Sequence, residues 1–84
     1  MNIDPGLHVK QGINHLNKAL QYAARMGDDT VWLTQEDWHV LADTLFHMGT
    51  PKEVLPEQVV STELISDRII GIKTTTGSLR IERM

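Results

Sequence analysis

The sequence of 84 residues contains no cysteine. This absence excludes a disulfide framework, a zinc site built on thiolates and a cysteine nucleophile. No run of apolar residues approaches the roughly 18 that a membrane-spanning helix needs. The first residues carry neither the positive charge nor the apolar stretch of a secretory signal. We therefore expect a cytoplasmic protein without a membrane segment.

Signatures of catalysis and of cofactor binding are missing as well. The sequence has no G-x-S-x-G elbow, no Walker loop, no H-E-x-x-H pair and no glycine-rich dinucleotide fingerprint. The four histidines also lack the spacing with which a helix presents two metal ligands, because His8 and His15 are seven residues apart and His39 and His47 are eight apart. We expect no enzymatic activity, no cofactor and no bound metal.

The composition that remains is that of a small globular protein. Apolar residues make up 40% of the chain, charged residues make up 23%, and the formal net charge is −3. This length predicts one domain over residues 1–84. A chain this short buries only roughly 60–65% of the surface that it exposes when unfolded. Without disulfides or a metal, its stability depends on tight packing or on self-association.

A long amphipathic helix is predicted near the start of the chain. Asp4 is a suitable N-cap and Pro5 a suitable first helical residue. Apolar residues then recur every three or four positions until Gly27, which is typical of a helix C-terminus. These signals place the first helix at 5–26.

A short strand and a second helix follow. The β-rich run at 30–33 is the predicted strand, and the second helix is predicted at 35–48. Thr34 and Asp37 have the spacing of a capping box at its start, and Gly49 follows its last apolar residue.

The second half of the chain is less regular. A helical turn is predicted from residue 51, and the segment 57–67 fits neither helix nor strand because its apolar pairs recur every five residues. A β-hairpin is predicted at 68–84. We predict an α+β fold in which two antiparallel amphipathic helices pack on a small antiparallel sheet that ends in this hairpin.

The hydrophobic core is predicted from the apolar positions of the two helices and the hairpin. It comprises Val9, Ile13, Leu16, Leu20, Trp38, Leu41, Leu45, Ile70, Ile72, Leu79 and Ile81.

A second stripe runs beside the apolar face of the first helix, in which small residues alternate with histidine and tyrosine. We call it the small-residue stripe, and it comprises His8, Gly12, His15, Ala19 and Tyr22. A glycine inside a helix costs about 1 kcal/mol relative to alanine, a cost that a close approach by another element explains. That element is either the second helix or hairpin of the same chain, or a helix of a second copy. The latter alternative predicts a homo-oligomer.

Acidic residues and one tryptophan define another candidate surface. Five acidic residues and no basic residue lie between Asp28 and Asp43. If the side chain of Trp32 is exposed, it is a suitable anchor for a partner. We predict that another protein binds at Trp32, Glu36, Asp37 and Asp43. These observations favour a non-catalytic interaction or regulatory protein, such as an inhibitor, adaptor or accessory factor of the kind that mobile elements encode.

Nucleic-acid binding is the alternative function. The order of helix, short strand, helix, short helical segment and hairpin resembles the layout of winged-helix domains. That resemblance implies that the hairpin contacts phosphates through Arg68, Lys73, Arg80 and Arg83. However, the segment 51–67, where a recognition helix would lie, holds one lysine and four acidic residues. Because acidic side chains repel the phosphate backbone, a protein partner is preferred.

Overall fold

The first helix has the predicted bounds. A computed structural model describes residues 5–84, in which α1 is the helix Pro5–Met26. Gly27 has a left-handed backbone conformation with φ +69°, which costs glycine little because it has no Cβ. Beyond it, the N–H of Asp28 donates to the carbonyl oxygen of Ala23 at 3.1 Å and closes the last turn. Asp4, the predicted N-cap, lies outside the described residues.

The short strand and the second helix are also present. Strand β1 is Thr30–Leu33 and helix α2 is Gln35–Phe46. Thr34 caps α2 as predicted, because its hydroxyl oxygen accepts the N–H of Asp37 at 3.2 Å. The helix ends two residues before its predicted end, since His47 has left the helical region with φ −122°.

The rest of the chain forms three strands after a short 3₁₀ turn at Lys52–Val54. Strand β2 is Val59–Ser66, β3 is Ile69–Thr74 and β4 is Gly77–Arg83. The predicted hairpin is therefore the β3–β4 pair. No helix within residues 5–84 is both long enough and apolar enough to cross a bilayer.

Strand β2 occupies the segment whose pattern fitted no regular element. Its pairing with β3 shifts register between Val59 and Ser61, and again between Leu64 and Ser66. Each shift inserts an extra residue and reverses which face the following side chains take. Two such shifts turn an alternation of period two into apolar pairs five residues apart, which explains why the sequence pattern was ambiguous.

The four strands form one mixed sheet in the order β1-β4-β3-β2. The α+β class and the C-terminal hairpin are confirmed, but the sheet is not wholly antiparallel, since β1 pairs with β4 in parallel. The connections between the strands explain this parallel pairing. Helix α2 returns the chain to the end of the sheet at which β1 begins, so β2 runs in the same direction as β1. After two antiparallel hairpins, β4 has that direction again.

The core lies between the helices and one face of the sheet. Val9, Ile13 and Leu45 are only partly buried, and every other residue of the predicted core is buried. Residues outside the predicted core are buried too, namely Ala19, Val31, Ala42 and Val59.

The two helices are antiparallel and approach closely at Gly12. His8 in the first turns of α1 contacts Asp43 near the end of α2, whereas His15 contacts Asp37 near its start. A Cβ atom built on Gly12 would overlap the side chain of Thr44, which is completely buried. The stripe of small residues on α1 is therefore covered by α2 of the same chain.

We predict that truncating a core leucine destabilises the fold. Leu16 and Leu41 are both 0% exposed, so Leu16→Ala or Leu41→Ala should lower the free energy of unfolding by roughly 2–5 kcal/mol. Leu64→Ala, at an exposed leucine, is the control and should change it by about 0.5 kcal/mol or less. Urea unfolding followed by circular dichroism measures the difference. Equal midpoints for all three variants would contradict the assigned core.

We also predict that Gly12→Ala destabilises the protein, although the same change in an open helix stabilises it by roughly 0.5–1 kcal/mol. Overlap with Thr44 should cost about 1–3 kcal/mol. Adding Thr44→Gly should recover much of that loss in a double-mutant cycle. Asn14→Ala on the exposed side of α1 is the matched control. Stabilisation by Gly12→Ala would show that the helices do not meet at this position.

Candidate protein-binding surface

The helices cover only one face of the sheet. Val31, Ile70 and Ile81 point toward the helices and are buried, whereas Trp32 and Arg80, which alternate with them, are exposed. Successive side chains of a strand point to opposite faces. Trp32 therefore lies on the open face of the sheet.

One of the two tryptophans is buried and the other is exposed. Trp38 is 3% exposed, and its indole N–H donates to the carbonyl oxygen of Ile81 at 3.0 Å. Trp32 is 54% exposed. The core is thus closed without Trp32, and more than half of this large aromatic side chain is available to another molecule.

A groove runs along β1 beside Trp32. Its lining includes Tyr22 from α1, Asp28, and Met84 beyond the end of β4. Tyr22 is 50% exposed and Met84 is 66% exposed. Aromatic residues and methionine are enriched in protein interfaces, where aromatics bring large contact areas and methionine adapts its shape.

Strand β1 has no second neighbouring strand among residues 5–84, so its outer edge is not paired by them. The N–H of Arg80 donates to the carbonyl oxygen of Asp29 at 2.8 Å, and the N–H of Met84 donates to that of Leu33 at 2.9 Å. Because backbone groups of successive strand residues point in alternate directions, those of Thr30 and Trp32 point away from β4. Within residues 5–84, no hydrogen bond satisfies the backbone N–H and C=O groups of these two residues.

The acidic residues of the predicted partner surface are not brought together with Trp32. Asp37 lies 3.5 Å from the Nε2 atom of His15, and Asp43 lies 3.8 Å from that of His8. Glu36 and Asp37 line a different groove, between α1 and α2. Of the predicted surface, Trp32 therefore belongs to the β1 groove and the α2 carboxylates face α1.

Asp28 and Asp29 provide the negative charge beside β1. Both are exposed, and the contacts of acidic with basic side chains found within residues 5–84 are the two histidine–aspartate pairs on the helices. The carboxylates of Asp28 and Asp29 are therefore not neutralised by a lysine or arginine of the described chain.

The small-residue stripe on α1 is not a free surface, which corrects its assignment as a contact between two copies. Gly12 and Ala19 are buried inside the chain, and His8 and His15 lie against α2. The contact that the stripe makes is the one with α2. Among these residues, Tyr22 alone is exposed, and it belongs to the β1 groove.

The basic residues proposed for nucleic-acid binding are dispersed. Arg68 lies in the turn between β2 and β3, and Lys73 and Arg80 lie on the open face. Arg83 instead approaches α2, where its guanidinium carbon is 5.9 Å from the centre of the Trp38 ring. These four side chains do not form one basic patch.

The order of elements also differs from that of a winged-helix domain. Strand β2 and the 3₁₀ turn occupy the place of the expected recognition helix, and residues 5–84 contain no α-helix besides α1 and α2. On the open face, moreover, Glu63 and Arg80 are both paired with Gly71, one from each side. An acidic and a basic side chain therefore flank the same position of the open face.

Comparisons with protein-family models, with curated proteins and with solved structures found no match to this chain. Among residues 5–84, no group of three or more histidine, aspartate or glutamate side chains is arranged to hold a metal ion.

Sequence reasoning found Trp32 but missed the residues that complete its groove. The sequence pattern places Asp28 among the acidic residues before and within the second helix, Tyr22 in the small-residue stripe, and Met84 in the hairpin. Their proximity arises because β1 pairs in parallel with β4, which brings Met84 to the end of β1. No local pattern signals a pairing between segments about 50 residues apart.

We predict that acrylamide distinguishes the two tryptophans. Wild-type fluorescence should contain a strongly quenched part from Trp32 and a shielded part from Trp38. Trp32→Phe should leave only the shielded emission, whereas Tyr22→Phe, the control in the same groove, should retain both. A Trp32→Phe variant that is quenched as strongly as the wild type would contradict the orientation of the two side chains.

Proposed function

We propose that this protein is a non-catalytic binding protein, such as an inhibitor, adaptor or accessory factor, that contacts another protein through the β1 groove. The observation that carries the proposal is the 54% exposure of Trp32 on a paired strand. A tryptophan held on a strand loses little further conformational freedom when a partner covers it, and tryptophan is enriched among the residues that dominate binding energy.

The binding free energy that Trp32 can contribute supports its role as the anchor of the interface. Tryptophan buries on the order of 150–250 Å² when it is fully covered. Covering about half of that area at roughly 25 cal/mol per Å² contributes about 2–3 kcal/mol. Tyr22 and Met84 extend the apolar contact on either side. An exposed tryptophan flanked by an exposed tyrosine and an exposed methionine fits a protein-binding surface better than an enclosed substrate pocket.

Self-association remains a separate prediction, and the fold limits the surfaces through which two copies can contact each other. Gly12 and Ala19 are buried within the chain. A second copy would therefore contact exposed residues, among which Trp32 and Tyr22 are the large aromatic ones. Light scattering on a size-exclusion column tells a monomer of 9.5 kDa from a dimer.

We predict that Trp32→Ala abolishes capture of the partner. The tagged chain is used to capture proteins from an extract of its native cells. Val60→Ala on β2 is the matched control, since Val60 is also an exposed apolar strand residue but lies on the far edge of the sheet. The wild type and Val60→Ala should retain the same protein, and Trp32→Ala should retain at least about tenfold less.

Stability measurements complete this test. All three chains should unfold at about the same urea concentration, because neither substituted side chain is part of the core. If Trp32→Ala is equally stable and captures the same proteins in the same amounts as the wild type, the β1 groove is not the binding site.

A further inference from the structure

We infer that the partner binds in an extended conformation, as a fifth strand on the free edge of β1, and that it carries a lysine or arginine that pairs with Asp28. This inference rests on the proposed function and specifies how the partner is recognised. Three features of the β1 groove support the inference: the unpaired backbone of β1, the side chains around that backbone and the local negative charge.

The unpaired backbone is the first feature. Thr30 and Trp32 each direct one N–H and one C=O toward the free edge, in register with the pairing of β1 to β4. A partner strand can satisfy all of these groups through main-chain hydrogen bonds, which do not depend on its sequence. A helix cannot do so, because its own backbone groups already bond to each other.

The side chains around the edge match the alternation of an added strand. Successive side chains of an extended segment point to opposite faces of the sheet. On the open face they meet Trp32, and on the helix face they approach Tyr22 of α1. The groove thus offers one aromatic contact on each face of the added segment, and these contacts supply specificity.

The charge of the groove specifies one further property of the partner. Asp28 lines the groove and Asp29 follows it, and both carboxylates lack a basic neighbour within 4 Å among residues 5–84. A lysine or arginine near the end of the added strand would complement them. An acidic segment would instead be repelled.

The other edge of the sheet is less suited to this role. Strand β2 shifts register twice against β3 within its eight residues. Such bulges bend a strand and interrupt the regular row of edge groups, and they are a common device against edge pairing. Strand β1 pairs with β4 at four consecutive residues without a shift.

The test uses a displayed library of random peptides of strand length, selected on the wild-type chain. Enriched peptides should contain neighbouring apolar residues, one for Trp32 and one for Tyr22, together with a lysine or arginine. Selection on Asp28→Asn should lose the preference for a basic residue. The affinity of the best peptide is then measured for Thr30→Pro and for Thr30→Val. Proline removes an N–H that points to the free edge, whereas valine keeps it.

Thr30→Pro should weaken binding about five- to tenfold, and Thr30→Val less than about twofold. Proline is tolerated at the first residue of an edge strand. Should Thr30→Pro nonetheless fail to fold, N-methylation of the peptide backbone at alternate residues replaces it. Methylation at one set of alternate positions should abolish binding, and methylation at the other set should not.

The outcomes separate this inference from the proposed function. If Thr30→Pro and all methylated peptides bind normally while Trp32→Ala loses binding, strand addition is overturned and the groove remains the binding site. If Trp32→Ala also binds normally, both are overturned. Failure to enrich any peptide overturns strand addition. A dimer of the free chain that Thr30→Pro dissociates shows that a second copy, not another protein, occupies the edge, and this result also overturns the inference.

Discussion

The parallel pairing of β1 with β4 is the interaction on which the rest of the structure depends. It joins the N-terminal half of the chain, which holds α1, β1 and α2, to the strands of the C-terminal half. Its hydrogen bonds run from Arg80 to Asp29 and from Met84 to Leu33. The indole N–H of Trp38 reinforces the same junction by donating to the carbonyl oxygen of Ile81. Without this pairing, the helices would lack a sheet to cover, and the hairpins would leave their apolar face in water.

The second constraint is the small number of helices. The two helices lie close together on one face of the four-stranded sheet, where Val59 is the only buried residue of β2. The contact of Gly12 with Thr44 permits that approach, and the buried Thr44 hydroxyl donates to the carbonyl oxygen of Val40 at 2.8 Å rather than remaining unpaired. One face of the sheet therefore stays open, and a binding surface on that face and its β1 edge follows from the architecture.

The charged side chains also differ in whether they have a partner within the chain. Two carboxylates of α2 that looked available to a partner, those of Asp37 and Asp43, face histidines of α1, and Arg83 packs over Trp38. Within residues 5–84, the carboxylates of Asp28 and Asp29 lack a basic partner within 4 Å, and Asp29 accepts only the hydroxyl of Thr30 at 3.3 Å. Asp28 lines the groove beside Trp32, close to the free backbone edge. The groove consequently combines an aromatic side chain, unpaired backbone groups and uncompensated negative charge, which together describe an extended partner with a basic residue.

The sequence by itself determined both helices, β1 and the hairpin, because each depends on local signals such as the Thr34 cap, the turn at Gly27 and the periodicity of apolar residues. It also determined that a tryptophan lies in β1. Strand β2 stayed ambiguous, since two bulges broke the alternation that marks a strand. Only the tertiary structure decided that β1 is an edge strand, that Trp32 faces away from the helices, and that Tyr22 and Met84 join it. These features depend on contacts between residues far apart in the chain, and the local pattern of a four-residue strand does not specify which face or edge it will present.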